Sequence, residues 1–186
     1  ACFRLGHPLY GEIVLQQLGT VARRRLMLRV AAALEASGPP GEADALRIAG
    51  WRLEGGGEIS AEDLVAAAVT ANRSFDHQLA KRLARKAVAK DGGTPAMLAL
   101  ATATNGQNDF AAAEQLLAAI EPEVLASGDP EVGRVYLDRR FAALFHGLSR
   151  PDETLAMLDR FEQECRDPVS HHLVAGWRSH VLVDAG

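Results

Sequence analysis

A phrase of small and apolar residues at helical spacing occurs twice in this chain, 33 residues apart. The first copy is Asp76-x-x-x-Ala80-x-x-Leu83-x-x-x-Ala87, and the second is Asp109-x-x-x-Ala113-x-x-Leu116-x-x-x-Ile120. A fixed period of this length indicates that each copy folds into the same unit and buries its apolar face against its neighbours. Small residues at 80 and 113 suit contact between the two helices of a hairpin, and the larger residues at 83 and 116 would fill the layer between hairpins.

A looser third copy extends the pattern. Gly147-x-x-x-Pro151-x-x-Thr154-x-x-x-Leu158 matches Gly106-x-x-x-Phe110-x-x-Ala113-x-x-x-Leu117 at a longer shift, with the extra residues in the loop before Pro130. The shorter shift is close to the ~34 residues of tetratricopeptide arrays. The pattern therefore predicts an all-α fold of antiparallel helical hairpins, stacked as a tetratricopeptide-like right-handed solenoid. A nonrepetitive helical bundle with coincidental alanine spacing is the alternative.

Helix starts are marked by proline after a residue that can cap the first turn. These starts are Thr94-Pro95, Asp129-Pro130, Arg150-Pro151 and Asp167-Pro168, and Ser60 with Asp63 resembles a capping box. Arg150 cannot cap, but Asp152 and Glu153 complement the helix dipole there. Together with the glycine and asparagine positions, these signals predict helices at 8–18, 21–36, 42–53, 61–72, 75–90, 95–104, 110–121, 130–146, 151–165 and 168–184.

The composition favours a packed helical domain in a reducing compartment. Hydrophobic residues make up 48% of the chain and aromatic residues only 5%, which suits close helix packing. The net charge of −4 argues against nucleic acid as the main partner. No apolar run approaches the ~20 residues that cross a bilayer, so no membrane partner is expected. Cys2 and Cys165 form no CxxC motif, which favours a cytoplasmic setting.

No constellation of residues that could carry catalysis is recognisable, so we expect a protein that is not an enzyme. The histidines include no pair at i, i+4, and the serines include no G-x-S-x-G elbow. Glu121 and Glu123 flank Pro122, and we interpret them as loop charges. The glycine runs 55–57 and 92–93 follow no strand, so they are interpreted as loops and not as phosphate cradles. We therefore expect neither a metal nor a cofactor in this chain.

Two basic faces are also recognisable. One is formed by Lys81, Arg82, Arg85 and Lys86 on one side of a predicted helix, and the other by Arg25 and Arg29. Such faces are commonly only solvated. The alternative is electrostatic docking, for which an acidic protein surface is favoured over DNA.

Two stretches of the sequence together resemble a known family. The first contains His7-Pro8-Leu9 and is followed by Arg23-Arg24-Arg25-Leu26 and Val30-Ala31-Ala32-Ala33-Leu34-Glu35. The second is alanine-rich and includes Gly147-Leu148-Ser149-Arg150-Pro151-Asp152-Glu153-Thr154-Leu155-Ala156. They resemble the end of the winged-helix region and the helical sensor region of large ATP-binding LuxR-type transcriptional regulators, relatives of the maltose-regulon activator. Met27 departs from the resemblance, because many members carry a histidine there.

The resemblance implies a division of the chain. Residues 1–36 would be the C-terminal remnant of a winged-helix-like domain, 37–41 a linker, and 42–186 the tetratricopeptide-like repeats. The segment Ser37-Gly38-Pro39-Pro40-Gly41 favours a seam at this place, since it cannot be helical. No GxxxxGK[ST] loop and no helix-turn-helix segment are recognisable. The ATP-binding and DNA-reading parts are therefore expected on either side of a fragment that starts at Ala1 and ends at Gly186.

The function implied by the resemblance is sensing in transcription regulation, without direct contact to nucleic acid from this segment. A small-molecule inducer or a regulatory protein would bind a concave face lined by the first helix of each hairpin, and shift the parent protein towards a self-associating state. Candidate lining residues are Tyr136 and Arg140, one turn apart on a first helix, with ordinary groove and surface positions as the alternative. A constitutive protein-interaction scaffold of the tetratricopeptide type is the alternative function.

Overall fold

The computed structural model describes residues 17–164 and 168–184, and these residues form nine α-helices and no strand. The helices are α1 (Thr20–Glu35), α2 (Glu42–Gly55), α3 (Ala61–Arg73), α4 (His77–Val88), α5 (Gly93–Gly106), α6 (Phe110–Ser127), α7 (Pro130–Phe141), α8 (Pro151–Glu164) and α9 (Pro168–Asp184). The prediction of an all-α chain is confirmed for these residues. Cys2, Cys165, the segment around His7 and nearly all of the helix expected at 8–18 lie outside them.

Side-chain caps begin four of these helices. The caps are Ser60, Asp76, Asp109 and Asp129, which accept hydrogen bonds from the backbone N–H groups of Asp63, Leu79, Ala112 and Glu131 at 3.0, 3.0, 3.4 and 2.9 Å. Each cap satisfies an amide that has no partner inside its helix. The expected cap at Thr94 is wrong, because α5 already begins at Gly93. Pro95 therefore lies within the first turn, where its missing N–H removes no helical bond.

Helix α6 is longer than its sequence indicates. The predicted end was at residue 121, before Pro122, but the helix continues through Ser127. Proline removes one backbone donor from a helix interior, which weakens the helix at that point. Val124, two residues later, is buried in the hydrophobic core, and its burial offsets the lost bond. The interpretation of Glu121 and Glu123 as loop charges is therefore wrong.

Helix α7 does not run unbroken to residue 146 as predicted. It ends at Phe141 and continues as a π-helical turn over Ala142–Gly147. A π-helical turn holds more residues than an α-helical turn, so it accommodates an additional residue within a helix. Leu144, within this turn, is buried in the core.

The chain divides into two compact units, Ala1–Ile59 and Ser60–Gly186. In the first unit, α1 packs against α2. Hydrogen bonds join them from Arg52 Nε and Nη2 to Glu35 Oε1 and Oε2, at 2.8 and 2.6 Å, and from Arg23 Nη2 to Glu54 Oε2, at 3.4 Å. Residues 37–41, expected as an interdomain linker, form the turn of this hairpin. The expected seam thus lies inside the first unit, because the side chains of the two helices are paired across it.

In the second unit, each helix packs against the next, α7 partly through its π-helical turn. Alternate helices also pack together: α3 with α5, α5 with α7, and α7 with α9. Most of the buried residues of α3, α4 and α5 are alanines, with Leu64 and Leu83 fully buried among them; the alanines are Ala67, Ala68, Ala71, Ala80, Ala84, Ala87, Ala96, Ala99, Ala101 and Ala103. Further along, the core consists of larger side chains, including Leu117, Tyr136, Leu137, Phe141, Leu144, Met157, Leu158 and Phe161.

The turns α3–α4, α5–α6 and α7–α8 share one backbone feature. Each contains a residue with positive φ: Phe75 at 60°, Asn108 at 61° and Ser149 at 54°. These positions are 33 and 41 residues apart, as are the copies of the phrase in the sequence. Non-glycine residues adopt this conformation only where the surrounding structure requires it. Asp91, in the α4–α5 turn, has a positive φ as well, at 57°. The shared angle therefore shows only that the three turns have a similar backbone conformation at these positions.

A ring packed on a glycine joins successive hairpins. A Cβ on Gly106, the last residue of α5, would collide with the ring of His77, the first residue of α4. A Cβ on Gly147 would collide in the same way with the ring of Phe110, the first residue of α6. Glycine is required at both places because the ring occupies the space of its missing side chain.

Candidate functional site

The two residues predicted to line a binding face lie together on α7, one helical turn apart, and both are buried. Tyr136 is 0% exposed and Arg140 is 6% exposed. The Tyr136 hydroxyl accepts a hydrogen bond from Arg140 Nη1. The Tyr136 ring stacks on Phe161 of α8, with 6.3 Å between ring centroids. The structure thus confirms that the residues are neighbours, whereas their role in binding stays a prediction.

Two glutamates of α6 hold the Arg140 guanidinium. Nη2 lies 2.8 Å from Glu114 Oε1, Nε lies 3.1 Å from the same oxygen, and Nη1 lies 2.9 Å from Glu121 Oε1. Glu121 is also 3.4 Å from Nη2 of Arg160 on α8. We call Tyr136, Arg140, Glu114 and Glu121 the Arg140 network. It links α6 to α7 and, through Arg160, to α8.

Burial and pairing together shift the pKa values of Tyr136 and Arg140. Burial raises the pKa of Tyr136, so the phenol stays neutral and can accept from Arg140. For Arg140, burial alone would lower the pKa, but the hydrogen bond to Glu114, the interaction with Tyr136 and the bond to Glu121 raise it further than burial lowers it. The guanidinium therefore remains a cation, and its charge is neutralised inside the protein.

Comparisons with models of protein families, with curated proteins and with solved structures find no match for this chain. Its function is therefore inferred from its own residues and their geometry.

The Arg140 network has the chemistry of a structural contact between helices. Its donors and acceptors bind one another: Arg140 donates to the Tyr136 hydroxyl and pairs with both glutamates, and the network contains no thiol or imidazole. Among residues 17–164 and 168–184, no group of three His, Cys, Asp or Glu side chains could hold a metal ion. Sequence reasoning did not find Glu114 and Glu121 as partners of Arg140. Their spacing of seven residues, two turns on one helix face, is the signal that was available.

Two equivalent asparagines differ in how well their side chains are satisfied. Asn72 donates from Nδ2 to the carbonyl of Ala99 at 3.0 Å, and its Oδ1 lies 3.3 Å from Nδ1 of His77. Asn105, 33 residues later, donates to the carbonyl of Arg139 at 2.7 Å. Its buried Oδ1 has no hydrogen-bond partner in the described part of the chain. The position equivalent to His77 is Phe110, which cannot donate.

An aromatic and histidine cluster surrounds the π-helical turn. Phe141 stacks on Trp177 of α9, with 5.1 Å between ring centroids, and Phe145 lies 5.4 Å from His180. The rings of His146 and His180 are 5.9 Å apart. These two histidines are 34 residues apart in the sequence, and they come together only in the folded chain. The cluster joins α9 to α7 and contains no carboxylate that would complete a metal site.

The predicted basic face lies on α4. Arg82 and Arg85 are exposed, and Lys81 and Lys86 are partly exposed. Lys81 Nζ donates to Gln107 Oε1 of the α5–α6 turn at 2.9 Å. None of the helices described is long and apolar enough to cross a membrane.

Proposed function

We propose that this chain is a non-catalytic helical-repeat domain that senses a ligand or a partner protein for a LuxR-type, ATP-dependent transcriptional regulator. Contact between alternate helices carries the repeat part of the proposal. In a tetratricopeptide-like array, the first helix of each hairpin touches the first helix of the next. Helices α3, α5, α7 and α9 would then form one wall of a right-handed solenoid, and such a wall presents rigidly held side chains to a partner. The regulator part is supported by the resemblance in sequence.

In this proposal, Arg140 connects binding to conformation. An anionic inducer that reached Arg140 would have to displace Glu114 or Glu121, since the guanidinium is already engaged by both. Displacement leaves a partly buried carboxylate without its cation, which destabilises the contact between α6 and α7. Loosening of this contact is the signal that the parent protein would convert into self-association.

A thermal-shift screen of the whole chain with sugars, sugar phosphates and nucleotides tests the sensing part. We expect one class to raise the midpoint of unfolding saturably, by about 5–10 °C at a hundredfold its Kd. The Arg140→Lys variant should lose this response for an anionic ligand, because lysine cannot bind in the same bidentate way. A screen in which no small molecule stabilises the chain contradicts small-ligand sensing.

The regulator part is tested separately by the coding sequence around this segment. We expect a GxxxxGK[ST] loop on the N-terminal side and a helix-turn-helix segment on the C-terminal side. Absence of both from the full-length gene product contradicts membership of a LuxR-type regulator.

A constitutive protein-interaction scaffold is the second candidate function. One observation favours it: the donors and acceptors of the Arg140 network bind one another, so the network holds the hairpins α5–α6 and α7–α8 together without a ligand. A scaffold would capture a partner protein tightly while showing no stabilisation by small molecules.

A further inference from the structure

Helix α4 contains basic side chains and no acidic ones. Between His77 and Lys90 the chain contains Lys81, Arg82, Arg85 and Lys86 and no Asp or Glu. Arg82 and Arg85 are exposed and have no carboxylate oxygen within 4.0 Å in the described part of the chain. The described arginines further along all have one: Arg134, Arg139, Arg140, Arg150, Arg160 and Arg178. Arg82 and Arg85 thus differ from the described arginines that follow them in the chain.

The arrangement of these cations weakens the helix that carries them. Lys81 and Arg85 lie one turn apart, as do Arg82 and Lys86. Like charges at this spacing repel and destabilise a helix. The chain as a whole has a net charge of −4, so acidic residues are plentiful elsewhere. Arg82 and Arg85, which no carboxylate of the described residues approaches within 4.0 Å, are therefore complementary to a negatively charged partner.

An exposed aromatic side chain lies at the start of the same row. Phe75 is 83% exposed, and its ring meets the edge of the His77 ring with 6.0 Å between centroids. His77, Lys81 and Arg85 follow one another at intervals of four residues and form a row along one side of α4. Phe75 precedes the helix, and its ring contact with His77 places it at the start of this row. The equivalent turn positions hold Asn108 and Ser149, which suit an exposed site with positive φ better than phenylalanine does. Exposed aromatic residues are frequent anchors of protein interfaces.

We propose that Phe75 and the cations Lys81, Arg82 and Arg85, together called the α4 row, bind an acidic segment of a partner protein that places an apolar side chain against Phe75. This proposal rests on the proposed function, which does not specify the partner, and it states the chemistry of that partner. A protein segment suits the α4 row better than single-stranded nucleic acid, because sites for single strands stack successive bases on several aromatic side chains, whereas the row contains one, Phe75.

Fluorescence anisotropy with the whole chain tests the α4 row. The probe is a fluorescein-labelled peptide of about 16 residues made of Asp, Glu and Leu, and the control peptide has Asn and Gln in place of every acid. We expect the acidic peptide to bind, the amide peptide not to bind, and the affinity to fall between about 50 and 200 mM NaCl. Failure of the acidic peptide to bind at concentrations up to ~1 mM overturns the proposal.

Variants locate the binding. R82Q/R85Q should weaken binding of the acidic peptide about tenfold, and F75N should weaken it by a similar factor. R134Q/R150Q is the matched control, because it removes the same charge from two exposed arginines paired with neighbouring glutamates. It should change the Kd less than about twofold. Equal effects of the two double variants overturn the proposal, provided that far-UV circular dichroism shows both folded.

Single-stranded DNA supplies the competing outcome. Oligo(dT) of about 20 nucleotides should bind more weakly than the acidic peptide. If it binds more tightly and R82Q/R85Q abolishes that binding, the α4 row is a nucleic-acid site and the proposal is wrong. Either result leaves the small-molecule thermal shift and the flanking gene sequence unaffected, so failure of the proposed function is seen independently.

Discussion

Replacing Arg140 by methionine removes the cation that α6 and α7 share. Glu114 and Glu121, whose side chains are only 13% and 18% exposed, would lose their partner. Arg160 would still approach Glu121 at 3.4 Å, but from a half-exposed position. Removing one partner of a buried ion pair costs about 3–5 kcal/mol, because it leaves a charge uncompensated. We expect the Arg140→Met variant to lose about 3–4 kcal/mol in the free energy of unfolding of the second unit.

Urea denaturation followed by circular dichroism measures this loss. With an m-value of about 2 kcal/mol/M, the midpoint should fall by about 1.5–2 M. Methionine has a similar length and suits a buried site, so the cavity term is small. Adding Glu114→Gln and Glu121→Gln should restore stability to within about 1–2 kcal/mol of the original, because the uncompensated charges are then gone.

A matched control separates burial from pairing. Arg134 makes an ion pair with Glu131 on the same helix at 2.5 Å, but both side chains are exposed to solvent. The Arg134→Met variant should therefore lose much less stability than Arg140→Met, since water screens an exposed pair. If both variants lose the same free energy of unfolding, the Arg140 network does not hold the hairpins α5–α6 and α7–α8 together, and the reasoning is refuted.

Three further predictions concern the hairpin turns and the first unit. Substituting Gly106 by alanine should cost about 1–3 kcal/mol, because the added Cβ would meet the His77 ring; an unchanged urea midpoint contradicts this. Substituting Phe75 by asparagine should raise the free energy of unfolding by about 0.5–1 kcal/mol, since asparagine tolerates positive φ; a lower midpoint would show that the ring stabilises the fold. Hydrogen bonds from Arg52 hold the pKa of Glu35 below its ordinary value of 4.5, so this pair contributes stability above that pH and loses it as pH falls through the lowered pKa. The stability difference between the parent chain and Arg52→Gln should accordingly be present at neutral pH and disappear in acid, and a difference independent of pH contradicts it.

The features that could be predicted from the sequence are those that depend only on residues close to one another along the chain. The start at Asp129 is an example, since the capping carboxylate and the amides it accepts from lie within one turn. The continuation of α6 past Pro122 could not be predicted locally, because it depends on burial of Val124 against other helices. The partners of Arg140 were missed for the same reason: Glu114 is 26 residues away and reaches it only after α6 and α7 have packed. Tertiary packing decided these points.

The π-helical turn over Ala142–Gly147 holds one of the eight residues by which the shifts of 33 and 41 differ, and six others lengthen α6, which has 18 residues against the 12 of α4. The carbonyl of Ala99, which an asparagine of the preceding hairpin binds, lies seven residues before Gly106. The carbonyl of Arg139 has the same role but lies eight residues before Gly147. The added residue lies between the carbonyl that binds the asparagine and the glycine that packs against the ring. Both contacts are present in both hairpins. A hairpin of this kind can therefore gain or lose a single residue between its two joints, and insertions or deletions there change its length while its neighbours keep their register.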